Sequence, residues 1–189
     1  MSRLALALLI SVLMAVGALA AGDSDSRYVD EFHPSVVVSE GGSKIVVLFL
    51  KNNFQRSIKD AHVPSGEIYF IQVQPLASKL KYVWKVEGDQ ISSVFFHGSK
   101  SLRREVRSMY VLMKTLVSNQ LFEGYSYSVM EFPIILEGDK LSLDFFPGDH
   151  QDAKLQNCYE GIYLEEDKAV TCPYKSASGI KKYLALQDK

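Results

Sequence analysis

KSLRREVRSMYVLMKTLVSN, Lys100–Asn119, is the stretch on which the fold turns. Leu102, Val106, Met109, Tyr110, Met113, Leu116 and Val117 recur at three- and four-residue spacings, the stripe of an amphipathic helix. Ser99 or Ser101 is a suitable N-cap, and Gly124 marks an exit shortly after the last periodic position. Lys100, Arg103, Arg104, Arg107 and Lys114 then fall on the opposite face. This spacing predicts one long helix over about 100–119 with a basic outer side.

Around it the chain reads as strands. SVVVSEGGSKIVVLFL (Ser35–Leu50) carries two apolar runs about Gly41-Gly42. YVWKVEGDQISSVFF (Tyr82–Phe96) and FPIILEGDKLSLDFF (Phe132–Phe146) do the same about Gly88-Asp89 and Gly138-Asp139. Gly-Gly and Gly-Asp between apolar runs are hairpin connections, because glycine adopts the positive φ that tight turns require. The phrase is written nearly twice, EGDQISSVFFHG at 87–98 and EGDKLSLDFFPG at 137–148. A repeated strand–turn–strand device explains it more simply than a duplicated binding element. GIYLEEDKAVTC (Gly161–Cys172) is a fourth hairpin, with Glu165-Glu166-Asp167 in place of glycine.

EIYFIQVQ (Glu67–Gln74) is a further strand. In KLKYVWKV (Lys79–Val86), Leu80, Tyr82, Trp84 and Val86 alternate with Lys79, Lys81 and Lys85, which predicts a strand with one wet face. A short helix is expected over Ser176–Gln187. The fold expected from these elements is α+β: an antiparallel, hairpin-rich sheet, the long helix packed on one face, and a short C-terminal helix.

Met1-Ser2-Arg3 followed by an almost wholly apolar Leu4–Leu19, ending Ala18-Leu19-Ala20, has the form of a cleaved secretory signal peptide. The expected organisation is a signal peptide at 1–20, a flexible leader at 21–33 and one globular domain at 34–189. Without Arg3 the remaining chain has 20 Lys+Arg against 22 Asp+Glu, a net −2, so no general attraction to nucleic acid is expected. Cys158 and Cys172 are the two cysteines, and in an exported chain they are expected to form one disulfide across the hairpin that lacks a glycine turn. None of Asn52, Asn53, Asn119 and Asn157 begins an N-glycosylation acceptor. Export to the extracellular space is expected; a secretory-pathway lumen or a bacterial periplasm is the alternative compartment.

Signatures of a nucleophile elbow, a P-loop, a dinucleotide fingerprint or an HExxH metal site are absent from the sequence, and no cofactor is implied. The reading leans away from an enzyme and toward a binding protein with an extracellular or lumenal protein partner. Candidate contacts are Lys79, Lys81 and Lys85 on the wet strand face, Arg103, Arg104 and Arg107 on the basic helix face, and Tyr125 and Tyr127 in GYSYSV, where tyrosine alternates with serine. An anionic surface is a further candidate partner. Two alternatives stay open. One is a carrier of a small apolar ligand or lipid lined by Trp84, Met109, Met113 and Met130. The other is a metal-dependent or hydrolytic enzyme using the Asp149-His150-Asp152 loop.

Overall fold

The computed structural model describes residues 30–52, 65–73, 79–99, 106–145 and 152–187. The expected signal peptide, the leader up to residue 29, Lys100–Glu105 with Arg103 and Arg104, and Asp149 with His150 lie outside these residues.

The chain folds into two antiparallel sheets, not an α+β layer. In the first, β1 (Glu31–Glu40), β2 (Ser43–Lys51), β3 (Gly66–Gln72) and β4 (Leu80–Val86) are neighbours in chain order. β1 therefore starts inside the stretch expected as leader. The second sheet holds β5 (Gln90–Ser99), β6 (Val106–Ser118), β7 (Phe122–Glu137), β8 (Lys140–Leu143), β9 (Cys158–Tyr163) and β10 (Lys168–Val170). Its order is β10-β9-β7-β6-β5, with β8 also on β7. The 16-residue β7 makes this possible. One of its edges pairs with β6 over Glu123–Pro133. The other is shared, Phe122–Tyr127 with β9 and Ile134–Glu137 with β8.

The expected long helix is instead strand β6. Met109 to Met113 are five consecutive residues, each at most 2% exposed. Met109, Val111 and Met113 enter the core between the sheets, while Tyr110 and Leu112 enter a second core on the opposite face. A strand covered on both sides is apolar without interruption. Its contrast at period two is erased, and any dense apolar run contains residues three and four apart. The two readings differ most at Val111. A helix carrying the stripe turns it away, toward the cations, whereas it is 0% exposed here.

The core between the sheets takes Val38, Ile45, Val47, Phe49, Ile68, Phe70 and Val86 from the first, and Ile91, Met109, Val111, Met113, Phe132, Ile134, Leu141 and Leu143 from the second. The second core lies under the short helix α1 (Ala177–Gln187), found where it is expected, whose Ile180 and Leu184 cover Phe95, Tyr110, Leu112, Tyr127 and Val129. Ser176 Oγ accepts from Gly179 N at 3.2 Å and caps the helix.

The two EGD phrases have different uses. At Glu137–Lys140 the phrase is a hairpin turn, with Glu137 paired to Lys140. The Asp139 carbonyl accepts from Ser43 Oγ (2.7 Å) and from the Gln72 amide (3.1 Å), so this turn pins the second sheet to the first. At Glu87–Gln90 no hairpin forms, because β4 and β5 belong to different sheets. The corner is fastened to β6: Asp89 N donates to the Lys114 carbonyl (3.0 Å), and Asp89 Oδ2 accepts from Leu116 N (2.6 Å). A Gly-Asp pair signals that the chain turns; which sheet the next strand joins depends on distant partners.

The hairpins at Gly41-Gly42 and at Glu165–Asp167 form as expected. Asp167 takes the positive φ (47°) in the turn without glycine, and Cys158 and Cys172 are bonded across that hairpin. Closing a loop of this length stabilises the fold by about 3 kcal/mol in the chain-entropy model. Replacing both cysteines by serine should lower the unfolding free energy by that order in urea titrations. An unchanged midpoint would show that the β9–β10 hairpin holds without its bond.

Candidate functional site

Side chains of the first sheet alternate between the core and an outer face that no described element covers. On that face Val37 stands opposite Val46, Val46 opposite Ile71, and Ile71 opposite Leu80, an apolar row crossing all four strands. Beside it run Leu48, Tyr69 and Tyr82, with the two tyrosine rings edge to face at 5.6 Å. Val37 is 61% exposed, and Leu80 and Tyr82 are each 52% exposed. The band is bordered by Lys44 at one end and by Glu67, Lys85 and Glu87 at the other, where Lys85 and Glu87 form an ion pair of 3.0 Å. Desolvation, followed by the nearby Glu67 charge, raises the Tyr82 phenol above its ordinary value, so it remains a neutral donor.

The three lysines expected in one row are separated by a bulge. Ile68 pairs with Trp84 but Tyr69 pairs with Tyr82, leaving Val83 as an extra residue. Past this point the faces exchange. Leu80 and Tyr82 turn outward, and Lys81 stands opposite the core residue Phe70, its amine 5.5 Å from the ring centroid. Lys85 stays on the outer side opposite Glu67, and Lys79 is exposed just before the strand.

Sequence patterning does not single out Val37, Val46, Ile71 or Leu80. The signal is nevertheless present in VVV at 36–38 and IVVLFL at 45–50. A sheet with one wet face alternates; unbroken runs mean that both faces are apolar.

The edges of the sheets are blunted. β1 contains Pro34 and two register shifts, and β4 carries Lys81, Lys85 and the bulge. β10 is three residues long, β8 four, and β5 is shifted between Ile91 and Ser93. Such devices discourage addition of a further strand.

The remaining sequence candidates are dispersed. Arg107 is exposed, lies 4.8 Å above the Phe96 ring and sits 3.9 Å from Glu40. Tyr125 and Tyr127 do share a face of β7, but Tyr127 is core and Tyr125 is 39% exposed, with Lys114 3.7 Å above its ring. Tyr127 donates to Glu160 Oε2 at 3.2 Å, and Lys175 donates to the other Glu160 oxygen. The Lys175 hydrogen bond, against an opposing desolvation, lowers the Glu160 carboxyl below the ordinary range, with the Lys175 charge, Tyr127 and Lys114 assisting. A lowered folded pKa contributes stability above the unfolded pKa that is lost as pH falls through the folded one. In carboxyl-resolved NMR titrations Lys175→Ala should move the Glu160 midpoint upward; an unmoved midpoint would remove Lys175 as the cause.

Asp152 has both oxygens engaged. Oδ1 accepts from Lys154 N (2.9 Å) and Oδ2 from the Tyr183 hydroxyl (2.6 Å). Burial first, then the Asp152 hydrogen bond, pushes Tyr183 up to about 12. Asp152 thus fastens α1 to the 3-10 turn at Ala153–Leu155. Among the described residues no group of three or more His, Cys, Asp or Glu is placed to hold a metal ion. Of the side chains weighed as a ligand lining, Met109 and Met113 are packed in the core, with Trp84 and Met130 against it.

No described helix is long and apolar enough to cross a membrane, and the disulfide is compatible with an extracellular location. No protein-family model matches the chain, and neither a curated protein nor a solved structure does.

Proposed function

We propose that the protein is exported and acts without catalysis, binding another protein across the outer face of its first sheet. One observation carries the reading: the row Val37–Val46–Ile71–Leu80, apolar on every strand and bare of any described element. Covering each half-exposed side chain in this row is worth on the order of 1 kcal/mol. Tyr69 and Tyr82 add rigid contact area with a hydroxyl at its end, a combination enriched at binding surfaces. Blunted edges favour capture on the face over strand addition. Export rests on the apolar N-terminal run with its small-residue ending and is supported by the disulfide.

Site-directed photo-crosslinking tests this. A benzophenone side chain at Val37 or Leu80, in the protein produced by its own secreting cell, should give a discrete crosslinked protein. The same group at Lys182, exposed on α1, should not. Crosslinking from both positions alike, or from Lys182 only, would refute the assignment of this face.

A further inference from the structure

The second sheet has a part of its own that no described element covers. α1 shields Tyr110, Leu112, Tyr127 and Val129, but the same face continues past the helix. There Leu116 stands opposite Tyr125, and Glu123 opposite Ile162. One step further Leu121 meets Leu164, joined by a backbone bond from Leu164 N to the Leu121 carbonyl at 2.9 Å. Leu116 and Leu121 are each 57% exposed, Leu164 47%, Ile162 44% and Tyr125 39%. Five large apolar side chains thus share one end of one face, well beyond the scattered single residues of an ordinary surface.

This end is built to hold its shape. Asn119 Oδ1 accepts from both Leu121 N and Phe122 N at 2.9 Å, fixing the β6–β7 turn. The disulfide closes the β9–β10 hairpin that carries Ile162 and Leu164. Pre-ordered contact residues lose little conformational freedom when covered. The charges around them are mainly negative. Glu123, Glu165, Glu166 and Asp167 give −4 against +2 from Lys114 and Lys168, or −2, while Glu160 is matched by Lys175.

We infer that this end of the second sheet is a docking surface for an apolar segment of a partner protein flanked by lysine or arginine. It is separate from the face of the first sheet and stands whether or not that face binds a partner. The leucines supply the area to be covered. The acids select the partner, because a cationic flank meets Glu123 and the Glu165–Asp167 turn, and an anionic flank is repelled. An anionic lipid surface is disfavoured by the same charges.

The probe is a synthetic amphipathic leucine/lysine peptide, with a leucine/glutamate peptide of the same pattern as control, titrated into the isotope-labelled full disulfide-bonded chain. The lysine peptide should shift the amides of Leu116, Tyr125, Ile162 and Leu164, and the glutamate peptide should not. Leu121→Ser/Leu164→Ser, and separately Glu165→Lys/Glu166→Lys, should each weaken binding by about tenfold, a change of ~1.4 kcal/mol. These residues are exposed, so an unchanged thermal transition is the control for folding. Absence of shifts, equal binding of both peptides, or shifts confined to the first sheet would overturn the inference. So would concentration-dependent shifts at these residues without peptide, which assign the surface to a second copy of the chain, or preferential binding of phosphatidylserine vesicles.

Discussion

Gly161→Ala is expected to lower the melting temperature by about 10 °C or more, and Gly124→Ala by a similar amount. The two glycines stand directly opposite each other on β9 and β7. A Cβ on Gly161 would lie 2.2 Å from the Glu123 carbonyl oxygen and 2.7 Å from the Gly124 Cα. One on Gly124 would lie 2.2 Å from the Glu160 carbonyl oxygen. These neighbours are backbone, so no rotamer change relieves the contact and the strands must separate. Both residues also hold φ at +156°, in the region that favours glycine. Overpacking costs roughly 1–3 kcal/mol and the strained backbone a further ~1–3 kcal/mol. At ~2–4 °C per kcal/mol for a chain of this size, the middle of their sum, ~4 kcal/mol, corresponds to about 8–16 °C. Gly98→Ala is the control, since nothing lies within 4 Å of its Cβ position, and it should stay within about 0.5 kcal/mol of the parent. If calorimetry showed Gly161→Ala melting with Gly98→Ala, the close approach of β7 and β9 would be wrong.

The second large effect separates the strand from the helix at Lys100–Asn119. Leu112→Ala should cost about 2–5 kcal/mol and Val111→Ala about 2 kcal/mol, because both are fully buried on opposite faces of β6. Leu116→Ala should change stability by less than about 0.5 kcal/mol, since that side chain is 57% exposed. A helix carrying the apolar stripe demands the reverse order, with Leu116 buried and Val111 facing water. Urea unfolding of the three variants decides between them: a costly Leu116→Ala beside a harmless Val111→Ala would restore the helix.

What could be read in the residues follows from the range of the physics involved. Gly41-Gly42 and Gly138-Asp139 turn the chain through local backbone preference, and both hairpins form where expected. The cysteine pairing was legible because it closes a hairpin between two near neighbours in sequence. Coverage, by contrast, is set by distant residues. Nothing near Tyr110 or Leu112 announces that Ile180 and Leu184 lie over them, and that second cover converts an alternating strand into a continuous run. Gly88-Asp89 fails as a hairpin for the same reason, since the partner of β5 is β6 and not β4. At the candidate surface, the single bulge at Val83 exchanges the outward positions of β4. Lysines that look aligned in KLKYVWKV are thereby divided, and Leu80 joins the exposed row.

The order of the strands along the chain also has a temporal consequence. All four strands of the first sheet are complete at Val86, whereas much of what covers their inner side comes from β6 to β8, ending at Leu143. Synthesis at ~5–20 residues per second places the completion of that cover roughly 3–11 s later. Throughout that interval a nascent sheet made of Val38, Ile45, Val47, Phe49, Ile68 and Phe70 on one side and Val37, Val46, Ile71 and Leu80 on the other is apolar on both. Its route to the native state therefore depends on being held apart from other emerging chains until β7 arrives, and a substitution that delays the β6–β7 pairing lengthens the exposure without touching the first sheet itself.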